Sequence, residues 1–450
     1  MIRIAPLLGI VLLCMAPHLA AQSTRPAGKP NVVLVMTDDV GYGDFGSYGA
    51  PDVRTPHIDS LARDGVRFTD FYAAPTCTPT RAALMTGRYQ QRVGLEVPIR
   101  SAGTPGGDVG LVATGRSLPQ LLKGNGYATA LVGKWHLGYK PEFQPAAHGF
   151  DYFFGFLSGF IDYYQHTSGD GAHDLYEHGA PVHVSGYMTD LITDRSVKFI
   201  EANASKPFFL EVSYNAGHWP FQAPDQPSVA PGNGRFVQPF DSPTATRKDY
   251  VAMIERADRG VGEILAAIGR LGLERDTLVI FTNDNGGEWL SRNAPLFHRK
   301  ETLWEGGIRV PLLMRWPGRL PAGRVSDQIG ITMDLTTSIL TATGTSVPAD
   351  ARLEGVDLLP LVSGGAPAAT RTLFFRIATP RRQQRAVRQG DWKLVVDGGE
   401  LPGAPVPPAS LLFNLREDIG EREDLAKDRP DLVRQLRRLL AEWERDVDGK

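Results

Sequence analysis

Four short apolar runs, each ending in a knot of polar residues, constrain this chain more than any other feature. Asn31-Val-Val-Leu-Val-Met36 is followed by Asp38 and Asp39, and the run from Tyr127 to Val132 by Lys134 and His136. The run from Phe208 to Val212 is followed by Asn215 and His218, and Thr277-Leu-Val-Ile-Phe-Thr282 by Asp284 and Asn285. The first is a continuous apolar run, the mark of a strand buried on both faces, and the other three also read as strands. Helical spacing appears between them, from Met188 to Ala202 (Leu191, Ile192, Val197, Ile200) and from Tyr250 to Leu271. Ile58 to Gly65 and Ser117 to Lys123 read as shorter helices, and Val310 to Met314 and Ile329 to Leu340 as a strand and then a helix. This alternation predicts an α/β fold, with a large, mostly parallel central sheet flanked by helices. Such sheets bind ligands beyond the carboxyl ends of their strands, so the four polar knots are expected to meet along one edge.

After about Gly365 the character changes. Thr372 to Phe375, Arg385 to Arg388, Trp392 to Val396 and Leu411 to Asn414 are short strand-like runs with turns between them. A helix starting at Pro430 sets Leu432, Leu436, Leu439, Leu440 and Trp443 on one face. Residues 366–450 are therefore expected to form a smaller C-terminal antiparallel sheet covered by a helix, and residues 22–365 the main domain. Gly94 to Thr114 and the Pro-rich stretch from Trp219 to Thr246 read as loops. Residues 1–21 carry Arg3, an apolar stretch from Ile4 to Ala16, then Ala20 and Ala21. They read as a cleaved secretory signal too short to span a bilayer, so export without a membrane anchor is expected. The destination is periplasm or medium, with a lysosome-like compartment left open. A net charge of −2 gives no reason to expect a nucleic acid as partner.

Of two cysteines, Cys14 lies in the leader, so Cys77 stands without a disulfide partner in the exported chain. It opens a helix, with Pro79 near the first helical position and Gly87 as the stop. Backbone N–H groups and the helix dipole there favour an anion. Asp38, Asp39, Asp284 and Asn285 offer hard oxygen ligands that suit Ca²⁺ or Mg²⁺ better than zinc. Lys134, His136, His218 and Lys300 add positive charge and proton donors. Each element has a plainer reading taken singly: an Asp pair as a turn or cap, Asp-Asn-Gly-Gly as a turn, a lone cysteine as a small buried hydrophobe. Together they form complementary parts of a pocket for a compact tetrahedral oxyanion.

Cys77-Thr-Pro79-Thr-Arg81, followed by Thr86-Gly87-Arg88, resembles the signature of the formylglycine-dependent sulfatases. These belong to the alkaline-phosphatase superfamily and include arylsulfatases and glycosaminoglycan sulfatases. The run from Asn31 to Asp44, Gly133-Lys134-Trp-His136, Asn215-Ala-Gly-His218, Asp284-Asn285-Gly-Gly, the stretch from Lys300 to Gly307, and Gly390-Asp-Trp-Lys-Leu-Val resemble that family's other segments, in order. There are two departures: Thr80 stands where serine is commoner, and Glu301 where a glycine often follows the lysine.

The resemblance implies hydrolysis of the sulfate ester of a carbohydrate or aryl alcohol. It implies that a maturation enzyme oxidises Cys77 to formylglycine, whose hydrate attacks sulfur. Asp38, Asp39, Asp284, Asn285 and residue 77 would hold a calcium ion, or magnesium, with Asp284 also a possible base. Arg81 would hold the hydrate, and Lys134, Lys300 and His218 the sulfate. His218 or Lys300 would protonate the leaving alcohol, and His136 would take the proton whose loss releases sulfate. The aromatic segment from Gly159 to His166 resembles the family's pocket side, so Asp162, Tyr163, Tyr164 and His166 are expected to touch a sulfated small molecule or saccharide. Two other readings stay open: a phosphonate or phosphate ester hydrolase of the same superfamily, and an inactive glycan-binding homologue.

Overall fold

The computed structural model describes residues 28–225, 245–379, 382–397 and 409–449. The expected leader, and residues 226–244 of the Pro-rich stretch, lie outside the described residues.

Strand Asn31–Thr37 runs through the middle of a ten-stranded sheet. Phe208–Ser213 and Thr277–Asn283 pair with it on either side, both parallel. Ala128–Lys134 lies parallel beyond Phe208–Ser213, and Tyr152–Phe156 parallel beyond that. Alternating side chains of the central strand feed two cores. Val33 and Val35 pack under helices Met188–Ala202 and Arg247–Arg270. Val32, Leu34 and Met36 pack under helices Cys77–Thr86 and Thr332–Ala342. Both faces are covered, which is why Val32–Met36 is a continuous apolar run.

The other edge turns antiparallel. Leu312–Arg315 runs antiparallel to Thr277–Asn283, and the connection between them carries only the four-residue helix Glu305–Ile308, too short to serve as a parallel crossover. Several outer strands carry only two or three residues, such as Val66–Phe68, Arg324–Ser326 and the hairpin Tyr176–Glu177/Ala180–Pro181. They are too short to show a period. The helix expected from Ile329 begins at Thr332, because Gly330–Ile331 pairs with Phe71–Tyr72 instead.

At the C-terminus, strands Thr372–Thr379, Arg382–Gln389, Trp392–Val396 and Ser410–Asn414 form a four-stranded antiparallel sheet in sequence order. Helix Pro430–Val447 covers it and buries Leu436, Leu440, Trp443 and Val447. This layer shares a core with Tyr72, Ala83, Trp304 and Ile308 of the main sheet's surroundings. Buried charges also join the two: Lys393 lies 2.8 Å from both Glu305 and Glu421, and Arg388 lies 2.6 Å from Asp70.

Candidate active site

The strand ends deliver their polar knots to one place. The N–H of Asp38 donates to the carbonyl of Ala216 (3.0 Å) and that of Asp284 to the carbonyl of Thr37 (3.1 Å), so three strands are tied just past their last sheet bonds. Asp39 and His136 then turn through the left-handed region, at φ 59° and 56°. That conformation is costly for residues with a Cβ and redirects each side chain toward the strand ends.

Cys77 opens helix Cys77–Thr86, which Gly87 ends in a left-handed cap at φ 64°. Its Sγ is buried, 3.2 Å from Nδ1 of His136. Nε2 of the same ring faces the carbonyl of Ile99 at 2.9 Å, and the Thr78 hydroxyl donates to the His136 carbonyl at 2.9 Å. A carbonyl can only accept, so Nε2 carries the hydrogen and Nδ1 turns a lone pair toward residue 77. Burial, reinforced by the charge of Lys134, holds the His136 pKa well below its ordinary value, which keeps the ring neutral.

Around this pair the charges interlock. Lys134 reaches Asp38 at 2.5 Å and Lys300 reaches Asp39 at 2.7 Å. Arg81 donates to Asp284 (3.1 Å), to the carbonyl of Lys134 (3.1 Å) and to the Ser213 hydroxyl (2.5 Å). His218 is oriented by Nδ1 donating to the Trp219 carbonyl (2.6 Å), with Nε2 3.4 Å from Asp39. Burial drives the Asp38 pKa well up, and the neighbouring Asp284 adds to this. Burial pushes Asp39 in the same direction, but Lys300, His218 and Lys134 outweigh it and hold its pKa down. Burial lowers His218 to about 3.

The donor set fits a hard divalent cation. Oδ1 of Asp38 and Oδ1 of Asn285 are both buried without a hydrogen-bond partner. Oxygens in that state need a positive partner. Asp38, Asp39 and His218 can bring ligand atoms within 4.8 Å of one another. Asn285 is held against Asp39 by its own amide (2.7 Å), and Asp284 accepts from the Asp39 N–H (3.4 Å), so all four expected oxygen residues converge.

A cavity of about 700 Å³ opens above Cys77, His136, His218 and Lys300. The family model described as Sulfatase matches residues 30–345. The chain belongs to the sulfatase family. A second model, N-sulphoglucosamine sulphohydrolase, C-terminal, matches residues 295–442. N-acetylgalactosamine-6-sulfatase of Canis lupus familiaris is 34% identical, over 90% of this chain and 83% of that protein. Arylsulfatase A of Bos taurus is 33% identical, over 96% and 90% respectively. The crystal structure of Ps i-CgsB is 31% identical, with TM-score 0.81 and 92% of each chain covered. The expected fold is met, and the reaction of this sulfatase is the hydrolysis of sulfuric esters.

The residues expected to touch substrate do something else in this sulfatase. Asp162 accepts from the N–H groups of Tyr164 (2.8 Å) and Gln165 (2.6 Å) and from the Gln222 amide (2.7 Å). The Tyr163 hydroxyl faces the carbonyls of Asn215 (2.6 Å) and His218 (3.0 Å), that of Tyr164 donates to Ala223 (2.9 Å), and His166 donates to Gly186 (3.1 Å). None of the four lines the cavity. An irregular buried loop must satisfy its own backbone groups, and these side chains do that behind His218. Ser158, Gly159 and Phe160, just before them, are the part of that segment facing the cavity. Sequence reasoning also passed over Arg100, Trp219, Glu288, Trp289 and Arg299, which line it from loops with no periodic signal. Ser213, which holds Arg81, lies just past the Phe208–Val212 run and was not singled out.

Proposed function

We propose that this sulfatase removes sulfate from a sulfated saccharide, with residue 77 acting as formylglycine and a calcium ion beside it. The observation that carries the reading is the His136 lone pair facing residue 77 at 3.2 Å, under a ring of three cationic side chains. Oxidised and hydrated, residue 77 supplies one hydroxyl to attack sulfur and a second whose deprotonation lets sulfate leave. Asp38, Asp39, Asp284 and Asn285 would hold the cation, which withdraws charge from the sulfate oxygens.

The side chains divide the remaining work. Lys134 and Lys300 would present positive charge to the sulfate oxygens. Arg81 steadies residue 77 against Asp284. Lys300 would supply the proton that the leaving alcohol needs, since His218 is held neutral with its one N–H on the Trp219 carbonyl. His136 Nδ1 takes the proton of the second hydroxyl, as its tautomer allows. Cys77 is 2% exposed, so its oxidation by the maturation enzyme precedes closure of the fold. The leader-like residues 1–21 support export.

A saccharide is favoured by the cavity wall, where the Phe160 and Trp219 rings lie 4.0 Å apart and offer apolar faces. Ps i-CgsB, 31% identical here, has been solved in complex with k-i-k-neocarrahexaose. The test is sulfate release from a panel of sulfated mono- and oligosaccharides beside nitrophenyl sulfate and nitrophenyl phosphate. Release from sugars supports the reading. Turnover confined to the aryl ester removes the saccharide, and preference for the phosphate overturns the sulfate assignment.

A further inference from the structure

Strand Phe208–Ser213 carries an acid that the reaction does not use. Glu211 is 3% exposed, in register with Leu34 and Leu131 of the two neighbouring strands. Strand alternation puts it on the same face as Phe209 and Ser213, under helix Cys77–Thr86. Its Oε2 is buried with no hydrogen-bond partner. A carboxyl among leucines in the middle of a sheet is costly unless something nearby answers it.

Arg81 answers from the covering helix. Its two terminal nitrogens are spent on Ser213, Lys134 and Asp284, while its Nε is buried without a partner. Residues two apart on a strand stand about 7 Å from each other, so the guanidinium anchored at Ser213 lies one step from Glu211. The flanking strands present only leucines at this level. Arg81 is the charged group whose field reaches Glu211. Burial pushes the carboxyl up, Arg81 pulls it partly back, and the result is about 7. Asp284 and Asp38 act on the same guanidinium.

We propose that Glu211 is a positioning residue that sets, through its protonation, how firmly Arg81 holds residue 77 in place for attack on sulfur. Protonated, it leaves the guanidinium to Asp284 and residue 77. When it releases its proton to solvent, the carboxylate draws the guanidinium toward the sheet and loosens its hold on residue 77, so less of the nucleophile is in position to attack. The proposal rests on the role given to Arg81 above.

Two measurements test it. In the matured enzyme with calcium, wild type loses kcat/KM for nitrophenyl sulfate through an alkaline limb near pH 7. Glu211→Gln is expected to match wild type on the acid side and exceed it several-fold about one pH unit above the limb. Superimposable profiles overturn the proposal. Absence of wild-type turnover at every pH instead strikes the sulfatase mechanism, and the second measurement then decides.

That measurement is thermal unfolding of the unmatured Cys77 protein, which needs no turnover. A carboxyl raised from 4.5 to about 7 stabilises the fold fully below pH 4.5 and loses that contribution as pH rises through 7. The Tm gain of Glu211→Gln should therefore grow between about pH 4.5 and about pH 7 and level off above. With Arg81→Met in both proteins, the growth should continue to higher pH, because the pull on the carboxyl is gone. A gain that levels off at the same pH with and without Arg81 overturns the coupling. So does a gain that does not depend on pH.

Discussion

Nδ1 of His136 lies 3.2 Å from Sγ of Cys77, and its tautomer is fixed by the Ile99 carbonyl at the other end of the ring. A neutral imidazole so held is a base aimed at residue 77. His136→Ala should lower kcat by about 10²–10⁴-fold with little change in KM, measured on nitrophenyl sulfate. Cys77→Ser should keep the fold and bind substrate yet fail at multiple turnover. Repeated turnover by that variant would remove residue 77 from the reaction.

The unpartnered oxygens of Asp38 and Asn285 make the cation site measurable without turnover. Calcium at about 100 times its Kd should stabilise the unmatured protein by about 2.7 kcal/mol, seen as a rise in Tm that a chelator reverses. Asp38→Asn and Asp284→Asn should each weaken binding by calorimetry. Unchanged affinity in either variant takes that residue out of the site.

Lys393 belongs to the C-terminal sheet, but it is fully buried between Glu305 and Glu421. Glu421 also accepts from the Glu305 N–H (2.6 Å), and Gln384 from the Leu303 N–H (3.1 Å), so this sheet braces the segment that begins at Lys300. Lys393→Met leaves two buried carboxylates facing each other and should cost about 3–5 kcal/mol in urea unfolding. A loss under about 1 kcal/mol would show that the network contributes little. In surviving folded protein, kcat should fall through displacement of Lys300.

Glu305 gives the same network a pH signature. Burial pushes its pKa up, but Lys393, Arg309 and Arg388 outweigh that and lower it from 4.5 to about 2. Its contribution is therefore present above pH 4.5 and lost as pH falls toward 2. Glu305→Gln should flatten the stability profile over that window in denaturant titrations, and a profile parallel to wild type would refute the pairing.

Much of this was legible before any coordinates. Val32–Met36 and Leu278–Phe281 are buried on both faces, so their sequences show the sheet and its ligand edge directly. Asp38, Asp39, Lys134, His136, His218, Asp284 and Asn285 could be read because each follows such a run. The cavity walls could not. Arg100, Trp289 and Arg299 sit on loops and line a cavity instead of filling a core, so no period marks them. Asp162 and Tyr163 misled for the opposite reason: polar and aromatic side chains that stitch a buried loop have the composition of a binding wall. Glu211 broke the apolar pattern of its strand, and that break was itself a signal.

Glu301 shows how a departure from family pattern becomes a physical statement. It stands where a glycine often follows the lysine, and its backbone occupies the left-handed region at φ 64° while its N–H donates to the Pro75 carbonyl at 2.9 Å. A residue with a Cβ loses about 1–2 kcal/mol there. Glycine removes that strain but widens the unfolded ensemble, which returns about 0.4–1 kcal/mol of the gain. Glu301→Gly should therefore raise stability by about 0.5–1 kcal/mol, read as a higher denaturant midpoint at unchanged slope. A lower midpoint would mean that the exposed Glu301 side chain contributes more than its backbone loses.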